Sequence, residues 1–291
     1  MGASLSGGVS DGEGLVQPRL GDIPESCAAL ILMQMDPPEI CKLARLNRAF
    51  RGASLADFIW ESKLPPNYRF IVDRVFDESS KRKISGKRDT YARLCRSNSF
   101  DDGTKVIWLD KHKGGICLSI SSKALSITGI DDRRNEQELQ NCHPCPKFAS
   151  CLVDIFQTVA YLQQIWWFEI NGEFEFQFPL GKYGLFFRLH LGRSLKRLGR
   201  RVCNSEHVHG WDIKPVRFEL STSNGHRAVS QCYLDNPGNW INYHVGDFVV
   251  DNPHDLIKIK YSMTQIDCTH TKGGVCVDSV LIYPSSVAKE P

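Results

Sequence analysis

The chain changes its hydrophobic pattern once, from a helical period near its start to an alternating period over most of its length. Between residues 20 and 65, apolar residues recur every three to four positions, which is typical of short amphipathic helices. From Thr104 onward, apolar and polar residues alternate in short runs separated by Gly, Asn, Asp and Pro, which is typical of antiparallel strands with one buried face. The pattern predicts an α+β multidomain chain, in which a small all-α segment precedes an all-β antiparallel sandwich or jelly-roll.

The helical segment contains two helices that open on proline. Pro24 and Pro37 stand in the first turns, where the missing N–H group of proline costs nothing. Asp36 is followed three residues later by Glu39, which predicts a capping box with Asp36 in the cap. A third helix is predicted over residues 56–64.

This segment has more apolar surface than three short helices can bury among themselves. The surplus either packs on the rest of the chain or contacts another protein, because a buried helical stripe and a partner-binding stripe look alike in sequence.

The order of residues in the segment narrows this choice. The ordered set is Leu20, Ile23-Pro24-Glu25, Ile31, Pro37, Ile40-Cys41-Lys42-Leu43, Leu46-Asn47-Arg48, Phe50, Trp60-Glu61 and Leu64-Pro65. It resembles an F-box, the helical module that docks substrate receptors onto the Skp adaptor of cullin-based SCF ubiquitin ligases. The resemblance implies that the residues facing the adaptor, or supporting that face, are Leu20, Ile23, Pro24, Ile31, Ile40, Leu43, Leu46, Asn47, Phe50, Trp60 and Leu64.

The alternating pattern divides the rest of the chain. Residues 1–19 are predicted to be a disordered tail, 20–65 the F-box, 66–103 a polar connector with helical pieces, and 104–287 the sandwich. The alternating runs lie at Val106–Trp108, Ile116–Ile120, Phe174–Phe178, Leu185–Leu191, Val216–Leu220, Ile257–Met263 and Val275–Tyr283. One helical crossover is predicted near Phe156–Leu162.

Several short motifs of the alternating region form a second resemblance. They include Gly114-Gly115-Ile116-Cys117, Val159-Ala160-Tyr161-Leu162, Trp166-Trp167-Phe168-Glu169-Ile170, Gly210-Trp211 and Gly273-Gly274-Val275. These motifs resemble the plant phloem protein 2 family, which includes the tobacco jasmonate-inducible lectin. An F-box followed by this lectin-like domain is the layout of the A-type F-box phloem protein 2 proteins.

The chain departs from the family pattern where sugar binding is expected. The two tryptophans that the resemblance associates with sugar binding are absent, and Thr128 and Asn135 stand near their places. A longer, cysteine-bearing stretch fills residues 135–154. Trp211, Trp240 and Tyr243 lie in loops rich in Gly, Asn and Pro, where such rings either stack on a sugar or close the end of a sandwich.

Composition limits where the protein acts. The chain has 291 residues, 42% hydrophobic and 24% charged, with a net charge of +3, which provides no argument for nucleic acid as a partner. The longest apolar run, Cys27–Met33, is too short for a membrane span, and the start of the chain does not resemble a secretory signal. We therefore expect an intracellular protein of the nucleus and cytoplasm, whose 11 cysteines are reduced.

Two kinds of short signal leave alternatives open. The first six residues fit an N-myristoylation pattern with Gly2 as acceptor, and a single acyl chain of this kind would give only weak membrane binding. Residues 81–83 and the stretch Arg193–Arg201 are basic. The first fits a nuclear signal or a solvated loop, and the second fits a site for phosphate or an acidic partner, or a solvated hairpin loop.

Candidate chemistry is sparse. Cys142, His143, Cys145 and Cys151 have zinc-ligand chemistry, but no second Cys-x-x-Cys pair completes a tetrahedral site, which favours a loop with free thiols. The nucleophile-elbow, phosphate-loop and zincin motifs are absent, so no catalytic residue, metal site or cofactor is assigned.

The sequence thus predicts a non-catalytic receptor subunit. The F-box would bind the Skp adaptor and through it a cullin, and the sandwich would present a protein or glycoprotein target for ubiquitination and degradation. The alternative is an intracellular carbohydrate-binding protein whose helical segment only packs on its sandwich.

Overall fold

A computed structural model describes residues 23–132, 136–139, 155–156, 158–197 and 200–288. The chain divides into two compact units, Met1–Ile59 and Trp60–Pro291. The division falls before Trp60, whereas the sequence pattern placed the end of the helical segment at residue 65.

The described part of the first unit is helical. Its helices are α1 (Glu25–Met33), α2 (Pro37–Leu43), α3 (Arg48–Ala53) and the start of α4 (Asp57–Glu61). Asp36 occupies the N-cap of α2 as predicted, but its side chain makes no cap hydrogen bond. Asn47 caps α3, where its Oδ1 accepts from the Phe50 N–H at 2.9 Å. A side chain at Gly52 would meet the Glu25 carboxylate at 2.8 Å, so glycine allows the close approach of α1 and α3.

The second unit begins with helices that the sequence assigned to a polar connector. They are α5 (Tyr68–Val75), α6 (Glu78–Arg82) and α7 (Lys87–Leu94). The Phe70 ring lies 5.3 Å from the Phe176 ring, and the Arg74 guanidinium lies 5.4 Å from the Phe100 ring. Helix α5 therefore packs on the β-structure, and all three helices belong to the second unit.

The strands of the second unit form two large antiparallel sheets and one hairpin. They are β1 (Asn98–Phe100), β2 (Lys105–Leu109), β3 (Ile116–Ser121), β4 (Ser126–Ile127), β5 (Glu136–Leu139), β6 (Thr158–Leu162), β7 (Phe168–Gln177), β8 (Gly181–Leu191), β9 (Arg193–Arg197), β10 (Arg200–Asn204), β11 (Val216–Thr222), β12 (Arg227–Cys232), β13 (Trp240–Val250), β14 (Leu256–Gln265) and β15 (Val275–Pro284), followed by α8 (Ser285–Ala288). The first sheet runs β1-β2-β3-β15-β6-β5, with β8 also paired to β15 and β13 paired to β8; the second runs β12-β11-β14-β7-β4.

The two sheets face each other through aromatic side chains. Phe187 on β8 lies 5.9 Å from Phe218 on β11 and 6.1 Å from Tyr261 on β14, measured between ring centroids. Phe178 and Phe248 meet edge to face at 5.5 Å in the same interior. The predicted antiparallel sandwich is therefore present, and the predicted alternating runs lie on its strands, except that Phe178 directly follows the end of β7.

The predicted helical crossover near Phe156–Leu162 is wrong. Residues 158–162 form strand β6, which pairs with β15 through Val275 and Leu162. Val159 to Leu162 are all buried, and a short continuous apolar run of this kind fits a buried strand as well as a helix.

Candidate functional site

The first unit exposes a set of large apolar side chains. Their exposed fractions are 66% for Leu30, 38% for Ile31, 58% for Leu46, 57% for Leu55 and 51% for Phe58. We call these five residues the apolar surface of the first unit. These side chains are therefore available to a partner.

The residues that the F-box resemblance selected are divided between surface and interior. Pro24, Ile31 and Leu46 are exposed; Ile23, Leu43 and Asn47 are half-buried; Ile40, Phe50, Trp60 and Leu64 are buried; and Leu20 lies outside the described residues. Asn47 has a structural task as the cap of α3. The sequence argument missed Leu30, Leu55 and Phe58, because helical spacing alone does not say which apolar residue a small unit leaves uncovered.

Trp60 and Leu64 belong to the second unit. The Trp60 ring is 3% exposed and its centroid lies 5.5 Å from that of Tyr91 on α7. Leu64 is 7% exposed. Both side chains are part of the interior and present little surface to a partner.

The sugar-stacking role predicted for Trp211 does not fit the structure. Its ring is 1% exposed, its Nε1 donates to the Gly273 carbonyl at 2.7 Å, and it meets Phe168 edge to face at 5.0 Å. A ring enclosed in this way offers no face to a sugar. Its burial agrees with the other role that the sequence allowed, in which the ring closes the end of the sandwich.

Trp240 and Tyr243 are half-buried on β13. The Arg188 guanidinium lies 4.8 Å from the centre of the Trp240 ring, and Tyr243 stacks on Phe218 with centroids 6.1 Å apart. Burial, with smaller contributions from Cys232 and Asp235, raises the pKa of Tyr243 to about 12. The tyrosine hydroxyl is therefore neutral at physiological pH.

The exposed tryptophans are instead Trp166 and Trp167, just before β7. Trp166 is 53% exposed and Trp167 is 45% exposed. The Trp167 Nε1 donates to Oε2 of Glu169 at 2.9 Å, while Oε1 of Glu169 accepts from Nδ2 of Asn171, also at 2.9 Å. These two hydrogen bonds lower the pKa of Glu169, and the one from Trp167 has the larger effect. They also hold the Glu169 carboxylate in a fixed position.

A buried lysine holds the loop that carries these tryptophans. Lys272 is 0% exposed, and its Nζ donates to the carbonyl oxygens of Trp166, Gln265 and Asp267, each at 2.8 Å. Burial lowers the pKa of Lys272. One ammonium group thus joins the chain before β7 to the chain after β14.

Asn171 also lines an open trough of about 720 Å³ on the outer face of the five-stranded sheet. Side chains on this face form two rows that cross the strands, because directly paired residues in antiparallel strands share a face. The rows are Val229, Glu219, Ser262, Asn171 and Ser126, and beside them Arg227, Ser221, Lys260 and Glu173. We call the space between these rows the outer trough. Its walls are rich in hydroxyl, amide and charged groups.

The basic stretch Arg193–Arg201 forms most of a hairpin of β9 and β10. The register pairs Arg197 with Arg200 and Lys196 with Arg201. The backbone of this stretch therefore forms a hairpin, which was one of the two interpretations of the sequence.

No group of three or more His, Cys, Asp or Glu side chains within the described ranges is placed to hold a metal ion. The cysteine cluster at Cys142, Cys145 and Cys151 and the acyl acceptor Gly2 lie outside those ranges. Among the helices that the structure describes, none has both the length and the apolar character that a membrane crossing needs.

Comparison with known proteins gives the family. Residues 115–284 match the family model of phloem protein 2. The whole chain is 60% identical to F-box protein PP2-A13 of Arabidopsis thaliana and covers 98% of that protein. It is 56% identical to F-box protein PP2-A12 and 55% identical to F-box protein PP2-A11 of the same plant, covering 90% of each from 94% of its own length.

Among solved structures, TmCBM61 in complex with beta-1,4-galactotriose is similar over 55% of this chain and 87% of that one, with 16% identity and a TM-score of 0.30. A likeness this remote does not bear on function. The family match and the full-length relatives agree with the two resemblances in the sequence, and the chain belongs to the plant F-box phloem protein 2 family, A type.

Proposed function

We propose that this protein is the substrate-recognition subunit of an SCF-type cullin ubiquitin ligase. Its first unit would dock onto the Skp adaptor, and its sandwich would present a protein or glycoprotein target inside the cell, in the cytoplasm and nucleus. The receptor itself performs no bond chemistry. It raises the effective concentration of a target lysine near ubiquitin carried by the rest of the ligase.

One observation supports this proposal above the others. The apolar surface of the first unit is exposed in a chain whose full-length relatives are named F-box proteins. Leu46, Leu55 and Phe58 are each more than half exposed, so a partner can bury them without rearranging the helices. Full burial of an exposed Leu or Phe side chain is favourable by about 1.5–3 kcal/mol.

Co-expression with a plant Skp adaptor followed by size-exclusion chromatography tests the docking. We expect a one-to-one complex from the wild-type chain and none from the Leu46→Glu/Leu55→Glu variant. Leu256→Glu is the matched control, since Leu256 is 49% exposed but lies on β14 of the second unit. Retained complex formation by the double variant would assign docking to another surface.

We propose glycan recognition by the outer trough as a second function, which would make a glycoprotein the target. The observation behind it is the exposed Trp167 ring, which reaches the trough wall through Glu169 and Asn171. Sugar rings present an apolar face and a rim of hydroxyl groups. An exposed indole beside fixed carboxylate and amide groups matches both features.

A glycan array probed with the full-length chain tests this second function. We expect binding that Trp167→Ala reduces at least about tenfold, with a similar loss for Asn171→Ala. Binding that survives Trp167→Ala and is lost in Trp240→Ala would assign the sugar to the half-buried tryptophan predicted from sequence. The absence of any glycan signal from the wild-type chain would refute the second function and leave the first intact.

A further inference from the structure

The outer trough contains two positive charges that are outside any ion pair. The charged side chains that line it are Glu173, Arg217, Glu219, Arg227 and Lys260. The Arg217 Nε lies 2.5 Å from Oε1 of Glu219, so these two charges pair with each other. The Glu173 Oε1 lies 2.9 Å from the Nζ of Lys258. Among the residues that the structure describes, no carboxylate forms an ion pair with Arg227 or Lys260.

Arg227 and Lys260 lie on either side of Ser221. The register pairs Arg227 on β12 with Ser221 on β11, and Ser221 with Lys260 on β14. Because directly paired residues share a face, all three side chains lie on the outer face of the sheet. The two cations start two strand spacings apart, about 10 Å, and both side chains are exposed. Their long, flexible stems let both charged ends approach an anion above the Ser221 hydroxyl.

A tight turn between β11 and β12 fixes this arrangement. The Thr222 N–H donates to the His226 carbonyl at 2.9 Å, and the His226 N–H donates to Oγ1 of Thr222 at 3.0 Å. Gly225, inside the turn, has a φ of +93°, a conformation that glycine adopts without strain. Arg227 follows directly, so the turn places it opposite Ser221 before any ligand arrives.

Glu173 is the carboxylate that the register places opposite Lys260. The hydrogen bond from Lys258 is the main cause that lowers the pKa of Glu173, and the charge of Lys260 is the smallest cause. Glu173 is therefore already held by another ammonium group. Glu175 stands opposite Lys258, farther along β7, and does not line the trough. The part of the trough around Ser221 thus keeps positive charge that no neighbouring carboxylate pairs.

We propose that Arg227, Ser221 and Lys260 form an anion subsite of the outer trough, which binds the carboxylate or phosphate of an acidic oligosaccharide. The guanidinium and the ammonium group supply charge, and the serine hydroxyl donates a hydrogen bond. The inference rests on the proposed glycan recognition and names the class of glycan.

The rest of the outer face favours a sugar chain as the carrier of the anion. Trp167, 45% exposed, is joined through Glu169 to Asn171, and Asn171 lines the trough. Strand β7, which carries Glu169, and strand β12, which carries Arg227, are three strand spacings apart, about 14 Å. A single sugar ring does not span this distance. The ligand that contacts both the indole and the anion subsite is therefore an oligosaccharide.

An array of paired glycans probed with the full-length chain tests the proposal. One pair is an oligogalacturonate and its methyl ester, and the other is a mannose-6-phosphate oligosaccharide and its dephosphorylated form. The first pair tests a carboxylate and the second a phosphate. We expect the acidic member of at least one pair to bind about tenfold more tightly than its neutral counterpart, since two exposed charges contribute modestly each. The preference should shrink as salt is added, because exposed charges are screened.

Variants connect the preference with the subsite. Arg227→Gln/Lys260→Gln removes both charges and should lower the affinity for the acidic member to that of its neutral counterpart. Lys83→Gln is the control, because it removes an exposed charge at the end of α6, outside the trough, and should keep the wild-type preference.

The outcomes separate this inference from glycan recognition itself. Equal binding of acidic and neutral members in both pairs, or an acid preference that survives in Arg227→Gln/Lys260→Gln, would overturn the inference and leave glycan recognition intact. The absence of binding to every glycan would overturn both. Displacement of the bound acidic oligosaccharide by an oligonucleotide, at lower concentration than by the free oligosaccharide, would assign the subsite to nucleic acid and overturn the inference.

Discussion

Replacement of Lys272 by methionine should destabilise the second unit strongly. The Nζ of Lys272 donates to three carbonyl oxygens at 2.8 Å, and the side chain is 0% exposed. Methionine retains most of the apolar stem but none of the donors. The hydrogen bond to the Gln265 carbonyl is fully buried, and leaving such an acceptor unpaired costs about 1–3 kcal/mol.

The other two acceptors, Trp166 and Asp267, are only part-buried, so water can replace some of what they lose. We assign each of them about 0.5–1.5 kcal/mol. The expected loss is therefore about 2–6 kcal/mol, a large fraction of the 5–15 kcal/mol that typically holds a domain folded.

Urea unfolding followed by tryptophan fluorescence measures this loss. We expect a lower midpoint with an unchanged slope, which indicates altered stability and not an altered unfolded state. Lys258→Met is the control, because Lys258 forms an exposed ion pair with Glu173 at 2.9 Å and should change stability by less than about 0.5 kcal/mol. A loss below about 1 kcal/mol for Lys272→Met would refute the view that this ammonium holds the chain before β7 to the chain after β14.

Three further predictions concern the interior of the second unit. Burial lowers the pKa of His190, so on acidification the unfolded chain binds a proton at a higher pH than the folded chain does. Thermal stability should therefore fall as the pH drops below about 6.5. The same dependence of stability on pH in His190→Gln as in the wild type would contradict this. A Cβ at Gly273 would lie 1.9 Å from a backbone oxygen, so Gly273→Ala should abolish folding or lower the free energy of unfolding by more than about 3 kcal/mol. Gly225 is the control, because it has a φ of +93° but open space around it. Gly225→Ala should lower the free energy of unfolding by about 1 kcal/mol in the same urea assay. Arg188 and Asp278 form a buried ion pair at 2.8 Å. Asp278→Ala should lower the free energy of unfolding by about 3–5 kcal/mol, because it leaves the Arg188 charge buried and unpaired. If the double replacement Arg188→Met/Asp278→Leu costs as much as Asp278→Ala alone, the unpaired charge is not the cause of the loss.

Sequence patterning predicted the elements whose two faces differ. Phe174 and Phe176 alternate with glutamates on β7, and the structure buries the phenylalanines and exposes Glu173 and Glu175. Such a period of two leaves little freedom in which face turns inward. By contrast, β6 is apolar at consecutive positions, so periodicity did not distinguish a strand from a helix there.

Some polar residues have interior contacts that the sequence does not show. The segment after residue 65 is predicted to be a polar connector with helical pieces, and in the structure the Arg74 guanidinium lies within 6 Å of the Phe100 and Phe174 rings. Long basic side chains commonly pack their stems and planar heads on apolar surface. Nothing in the local sequence reveals such contacts.

The recognition surfaces show the same limit. Trp211 and Trp167 both lie outside the strands, but one ring is 1% exposed and the other 45%. The difference comes from the long-range contacts of Trp211 with Phe168 and Gly273, and from Lys272, which holds the loop beside Trp167. Residue type identified the candidates, whereas tertiary neighbours decide which of them a ligand can reach.

Isothermal titration of the full-length chain with a purified plant Skp adaptor tests the central claim most directly. The account predicts one-to-one binding that weakens at least about thirtyfold in Leu46→Glu/Leu55→Glu and is unchanged in Leu256→Glu. The absence of binding by the wild-type chain, or equal binding by all three proteins, would contradict it.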